Sequence, residues 1–184
     1  MDHVLTCIFN EKAGANNATK ARSLIGRVAS ERGWEVRMLV SSTGADLPRL
    51  AEQACTGDGP IISGGGDGTA AAVAAAVVGK DAVLGVLPMG TFNHFARDLG
   101  IPLELERAIQ ILFTGHLARV DVGEVNGHIF LNNSSVGFYP RIVQERDRQQ
   151  RQGRSKWLAF AQASALMFRV SETLHVELEG DNTH

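Results

Sequence analysis

The chain has 184 residues, 44% of them apolar and 21% charged, with a formal net charge of −2. A chain of this length fits one domain and part of a second, since domains commonly run to ~100–150 residues. The near-neutral balance excludes a global attraction to nucleic acid or to anionic membrane, so any such attraction must be local.

The two cysteines, Cys7 and Cys55, read as reduced thiols, and no further ligands are spaced for zinc. Met1-Asp2-His3 lacks the basic-then-apolar layout of a secretory signal. The longest apolar stretch after Gly153 is about a dozen residues, short of the ~20 needed to span a bilayer. A cytoplasmic protein is expected, touching the inner face of a membrane from outside at most.

His3 to Phe9 is a short apolar run with β-branched members, a buried strand. Asn10 to Asn17 is a polar loop containing Gly14. Ala18 to Arg32 carries Ala21, Leu24, Ile25 and Val28 at helical spacing, and Gly33 ends that helix. Trp34 to Val40 alternates as a strand, Ser41 to Ala45 is a turn, and Asp46 to Cys55 is helical. Pro60 to Ile62 is a strand, followed by a glycine-rich turn and an alanine-rich helix over Thr69 to Val78. Ala82 to Leu87 is a further buried strand, and Thr91 to Leu99 and Glu104 to Phe113 are helices. Alternating short strands and helices imply a parallel sheet covered on both faces. In such sheets ligands bind at the carboxyl ends of strands, where strand order reverses.

After Leu117 the pattern changes. Leu117 to Val125 alternates, Asn126-Gly127 is a hairpin turn signal, and Ile129 to Asn132 is a second strand. Arg141 to Lys156 is strongly basic, Trp157 to Phe168 reads as an apolar helix, and Leu174 to Leu178 alternates again. The basic stretch beside an apolar helix is either a docking element for anionic lipid or a solvated linker before a core helix. The chain stops amid a strand pattern without a closing element, as a truncated chain would.

Ser63-Gly64-Gly65-Gly66-Asp67-Gly68-Thr69 follows a strand and opens a helix. Without side chains, the backbone can approach a phosphate and turn its N–H groups inward, and the helix start adds its positive end. Asp67 repels an anion, so it belongs to a metal or water network or caps the helix. The segment lacks the Gly-Lys-Ser/Thr of a Walker A loop and is no Rossmann fingerprint. A second turn, Pro88-Met89-Gly90-Thr91-Phe92-Asn93-His94-Phe95-Ala96-Arg97, follows the fourth strand. Here Pro88 stops the strand, Gly90 permits an unusual backbone angle and Thr91 caps the next helix. Asn93 and Arg97 share a helical face, where Arg97 meets a phosphate or pairs with Asp98 or Glu104. His94 is a surface residue, and Phe92 and Phe95 are core.

Together the two turns resemble the diacylglycerol kinase catalytic family, which includes bacterial lipid kinases and sphingosine kinases. The family's Gly-Gly-Asp-Gly-Thr stands at Gly65 to Thr69, and its Pro-x-Gly-Thr-x-Asn-x-Phe-Ala at Pro88 to Ala96. Asp121-Val122-Gly123, Asn126-Gly127, Phe130-Leu131-Asn132-Asn133 and Gly137 match a third stretch. The resemblance implies a three-layer α/β domain with a parallel sheet, of the type shared by NAD kinases and phosphofructokinases, over 1–116. It implies the beginning of a truncated β-sandwich, lipid-binding domain over 117–184. It further implies ATP with Mg2+, and transfer of the γ-phosphate to the hydroxyl of a diacylglycerol-like lipid.

By the same resemblance, Asn10, Ser41, Gly65, Gly66, Asp67, Gly68, Thr69, Gly90, Thr91 and Asn93 contact the nucleotide. Asp67 is the catalytic carboxylate present, and the general base lies in a later motif. The chain departs from the family pattern at Glu11, where Pro is usual, at Ala71 and Ala72, where Asn and Glu are frequent, and at His94, where most members carry Asp. These departures keep a second reading in view, a nucleotide-binding regulatory module or degenerate kinase without turnover. The expected partners are a lipid with a free hydroxyl and a peripheral membrane contact, with a homodimer left open and no nucleic acid.

Overall fold

The computed structural model describes residues 4–12 and 15–133, all within the first of two units, Met1–Asn133. Four strands, β1 (Val4–Asn10), β2 (Glu35–Ser41), β3 (Ile61–Gly65) and β4 (Leu84–Pro88), form a parallel sheet in the order β2-β1-β3-β4. Five helices connect or follow them: α1 (Ala15–Glu31), α2 (Leu47–Ala54), α3 (Asp67–Val77), α4 (His94–Asp98) and α5 (Leu105–Thr114). The chain leaves β1 toward one edge of the sheet and returns to its other side for β3. The carboxyl ends of β1 and β3 therefore flank the point where strand order reverses, the usual position of a ligand crevice.

Alternation along β1 divides the core into two layers. Leu5, Cys7 and Phe9 pack with Ala21, Ile25 and Ala29 of α1 and with Ala108 and Ile109 of α5. Ile8, on the opposite face, packs with Leu47, Leu50 and Ala51 of α2 and with Val73 of α3. The three-layer α/β arrangement expected from the sequence is thus present. Burial pushes the Cys7 thiol up to about 12, so it stays protonated and unreactive near neutral pH. Both cysteines are free.

Several boundaries differ from the sequence expectation. Ser63, Gly64 and Gly65 belong to β3 and are buried, so the turn begins only at Gly66. The reason lies in their neighbours: a Cβ on Gly64 would come 2.5 Å from the Phe9 ring, and one on Gly65 would come within 2.3 Å of Thr69 Oγ1. The following helix starts at Asp67, with Gly66 as its N-cap residue and no side-chain capping bond. Helix α4 spans only His94–Asp98; its N-cap is Asn93, not Thr91.

The alternating segment from Leu117 forms a strand only at β5 (Gly123–Val125), which pairs antiparallel with β6 (His128–Phe130) as a separate sheet. Among the described residues no strand lies beside 117–122, and Leu117 is 79% exposed. The Asn126-Gly127 turn takes φ of 49° and 76°, as a two-residue hairpin requires. Leu131 packs beside Val86, Phe95 and Ala96, and Asn132 Nδ2 donates to Asp98 Oδ2 at 2.9 Å. No helix among the described residues is long and apolar enough to cross a membrane. The expectations for Arg141 to Lys156, Trp157 to Phe168 and Leu174 to Leu178 fall outside the described residues.

Candidate functional site

The residues singled out in the sequence converge at the carboxyl edge of the sheet. Asn10 ends β1, and its Nδ2 donates to Thr69 Oγ1 across the reversal point at 3.4 Å. Its Oδ1 accepts the Lys12 amide at 3.1 Å. Thr69 is buried in the first turn of α3. The first amides of a helix have no acceptor within it. Thr69 N and Ala70 N both turn back to Gly66 O, at 2.9 and 3.0 Å. The amides of Asp67 and Gly68 remain at the mouth, where the helix presents its positive end.

Glycines in this turn have distinct reasons. Gly66 packs main chain to main chain against the second turn: a Cβ on Gly90 would lie 2.4 Å from Gly66 Cα. The expected unusual angle at Gly90 is absent, since the left-handed residue of that turn is Asn93, with φ of 52°. Close approach, rather than torsion, demands glycine at position 90. Gly68 differs from both. It is exposed, and a Cβ there would meet nothing within 4 Å. No atom of the described residues explains that bare surface, which is the kind of room a phosphate needs to reach main-chain amides.

Asp67 does not cap its own helix. Its Oδ1 accepts the Phe95 amide at 3.1 Å, so it sits on the N-terminus of α4 and ties the two turns together. Asn93 locks the second turn: Oδ1 accepts Gly90 N–H at 2.8 Å and Nδ2 donates to Gly90 O at 2.9 Å. Met89 N also donates to Gly65 O at 2.8 Å. Thr91 is exposed at the tip. Phe95 is buried as expected, but Phe92 is 65% exposed and stacks on exposed His94, with ring centroids 5.6 Å apart. The helix begins at His94, three residues later than the expected Thr91, which leaves Phe92 outside it. Arg97 Nε donates to Phe92 O at 2.9 Å; Asp98 bonds Asn132 and Glu104 pairs with Arg107 instead.

Ser41 closes β2 in register with Asn10. It is fully buried, and its hydroxyl donates to Asp46 while accepting Gly44 N–H at 3.0 Å. That bond to Ser41 holds the Asp46 carboxyl below the usual carboxylate range.

This arrangement has relatives. The diacylglycerol kinase catalytic domain family matches residues 4–125. The chain belongs to that family. A Yersinia pestis (strain Pestoides F) protein named "Probable lipid kinase YegS-like" is 36% identical over 151 residues, covering 79% of this chain and 50% of that protein. A protein of the same name from Enterobacter sp. (strain 638) is 39% identical over 121 residues, covering 62% of this chain and 40% of the relative. A crystal structure of a diacylglycerol kinase from Bacillus anthracis str. Sterne superposes with a TM-score of 0.63 at 27% identity, covering 71% of this chain and 46% of that one. The chain thus spans about half the length of the curated relatives it matches.

Two residues of this diacylglycerol kinase family domain went unnoticed in the sequence. Lys12 lies two residues past the end of β1, its amide pinned to Asn10, and neither ion pair among the described residues includes it. A lysine just after a strand that ends at a reversal point was the available signal. Asp46 gave no signal, because an aspartate before a helix reads as an ordinary cap.

Proposed function

We propose that the chain is the nucleotide-binding part of an ATP-dependent lipid kinase, which transfers the γ-phosphate to the hydroxyl of a diacylglycerol-like lipid. One observation carries the reading: the bare, exposed main chain at Gly68, at the mouth of α3 and bordered by Gly66, Thr69 and Asn10. A helix N-terminus with unencumbered amides suits a polyphosphate. In the same reading, Thr91 and the Asn93-locked turn border the nucleotide, and 117–184 begins a lipid-binding domain. The family membership and the names of the relatives support a lipid as acceptor.

Phosphoryl transfer depends on positioning and charge neutralisation more than on covalent help from the protein. The amides of Asp67 and Gly68 would receive phosphate oxygens, and Lys12 would add a positive charge beside Asn10. Asp67 holds α4 against the phosphate turn, which fixes where the second turn meets the nucleotide. Mg2+ would arrive on the nucleotide at Gly66 to Thr69, where it would supply charge neutralisation of the phosphates. We assign the proton acceptor for the lipid hydroxyl to a carboxylate outside the described residues. The membrane contact, at the inner face, belongs to the same proposal.

The test is transfer of radiolabelled phosphate from ATP to total lipids by the full-length parent protein. A labelled lipid is expected. Label on NAD and none on lipid would overturn the substrate reading. ATP binding without turnover would favour the degenerate-kinase alternative that His94, Ala71 and Ala72 keep in view. Residues 1–184 alone are expected to bind ATP but to turn over little or none; robust turnover would contradict the assignment of the proton acceptor.

A further inference from the structure

Asp46 precedes α2 at the N-cap position, where an aspartate ordinarily accepts amides of its own helix. It makes no such bond. Its carboxylate accepts the Ser41 hydroxyl proton instead, and the same hydroxyl oxygen accepts Gly44 N–H at 3.0 Å. Ser41 is also tied through its main chain, its carbonyl accepting Glu11 N–H at 3.0 Å. A serine hydroxyl has one proton to give and two lone pairs. Here the proton goes to Asp46 and one lone pair to Gly44, and the residue is fully buried. The Ser41 hydroxyl thus lies beneath the surface of the loop it shapes.

Ser41 reaches the phosphate turn through the strand end it pairs with, since it stands opposite Asn10 and its carbonyl accepts Glu11 N–H. Gly44 takes φ of +82°, and a Cβ on it would come 3.8 Å from Asn10 Nδ2. Gly44 has no such atom, and the Asn10 amide is held by Thr69 Oγ1 and by the Lys12 N–H instead. The links thus run from Asp46 to the Ser41 hydroxyl, from the Ser41 main chain to the end of β1, and from the Asn10 side chain to Thr69, at the carboxyl ends of β2, β1 and β3.

We propose that Asp46 is a positioning residue for the nucleotide, acting through Ser41 and the paired ends of β2 and β1 to set Asn10 beside the phosphate turn. The inference deepens the nucleotide reading above and rests on it. Its essential property is an acceptor oxygen for Ser41; a negative charge is secondary. The position of Asn10 beside Thr69 decides how snugly the crevice closes on ATP, while the reacting phosphate lies elsewhere. Removing the acceptor should therefore weaken ATP binding and leave turnover at saturation nearly intact.

The experiment compares Asp46→Ala, Asp46→Asn and Ser41→Ala with the unaltered full-length parent, measuring KM for ATP, kcat and the thermal midpoint. Asp46→Ala is expected to raise KM about tenfold, the loss of one hydrogen bond to a charged partner, with kcat within about twofold. Asp46→Asn keeps a neutral acceptor and should recover most of that affinity. A lower kcat with unchanged KM, tracking the fraction folded, would make Asp46 merely structural and overturn the inference. So would an Asp46→Asn enzyme no better than Asp46→Ala. If Asp46→Ala fails to fold, Ser41→Ala, which breaks the same circuit with a smaller deletion, must raise KM alone. No ATP binding by the unaltered protein would bring down the nucleotide reading and this inference with it. Normal binding with an unmoved KM in the variants would remove this inference only.

Discussion

The two turns at the sheet edge are built by opposite means. The first is made by omission: Gly64 and Gly65, which end β3, and Gly66 in the turn itself leave out side chains so that Phe9, Thr69 and Gly90 can take the space. The second is made by addition: Asn93 clasps Gly90 with two hydrogen bonds while sitting in a left-handed conformation. Gly68, in the first turn of α3, follows neither rule, since no described residue occupies the place of its missing side chain. The difference separates glycines that serve the fold from the one available to a ligand, a distinction that spelling alone does not make.

Substitutions break or sharpen this contrast. The largest effect is expected at Gly90→Ala, whose Cβ would press on Gly66 main chain that no rotamer change can clear. A loss of about 3 kcal/mol in urea unfolding is predicted, as for severe overpacking. Asn93→Ala should lose about 2 kcal/mol, because two hydrogen bonds go and alanine is left with a positive φ. Asp67→Ala gives up one bond to Phe95 and should lose about 1 kcal/mol. Its larger consequence is functional: lipid phosphorylation by the parent protein should fall to background, and near-normal activity would remove Asp67 from the mechanism.

At Gly68→Ala the two measurements should part company. Stability stays level or rises by up to about 1 kcal/mol, since alanine suits a helix better than glycine, whereas ATP affinity by calorimetry drops about tenfold or more. Equal ATP affinity in that variant would show that the open surface serves nothing. The smallest effect belongs to Phe92→Ala, where a side chain 65% exposed should change stability by under about 0.5 kcal/mol.

Much of the fold was legible because buried strands and amphipathic helices announce themselves locally. Val4–Asn10, Glu35–Ser41 and Leu47–Ala54 fall within a few residues of their expected limits. What was not legible depends on partners far along the chain. Gly64 reads as a turn residue until the Phe9 ring, more than fifty positions earlier, is seen to lie over it. Asp67 reads as a cap for the next helix until its bond to Phe95, 28 positions on, is known. Phe92 shares helical spacing with Phe95, yet the left-handed Asn93 between them delays the helix and leaves Phe92 outside. The alternation from Leu117 to Val122 was real as a pattern, but a strand needs a neighbour, and the described residues offer none. Ser41 is a nucleotide contact by the family resemblance, and no local pattern foretells that its buried hydroxyl bonds Asp46 and Gly44.

The seam where Gly66 meets Gly90 has a mechanical corollary. With no side chains to act as bearings, neither loop can slide or tilt without carrying the other along. Amide exchange in the two segments should then be governed by one shared opening event, and a ligand gripping either loop should slow exchange in both by the same factor. A guest at one lip of the crevice would be felt at once at the other.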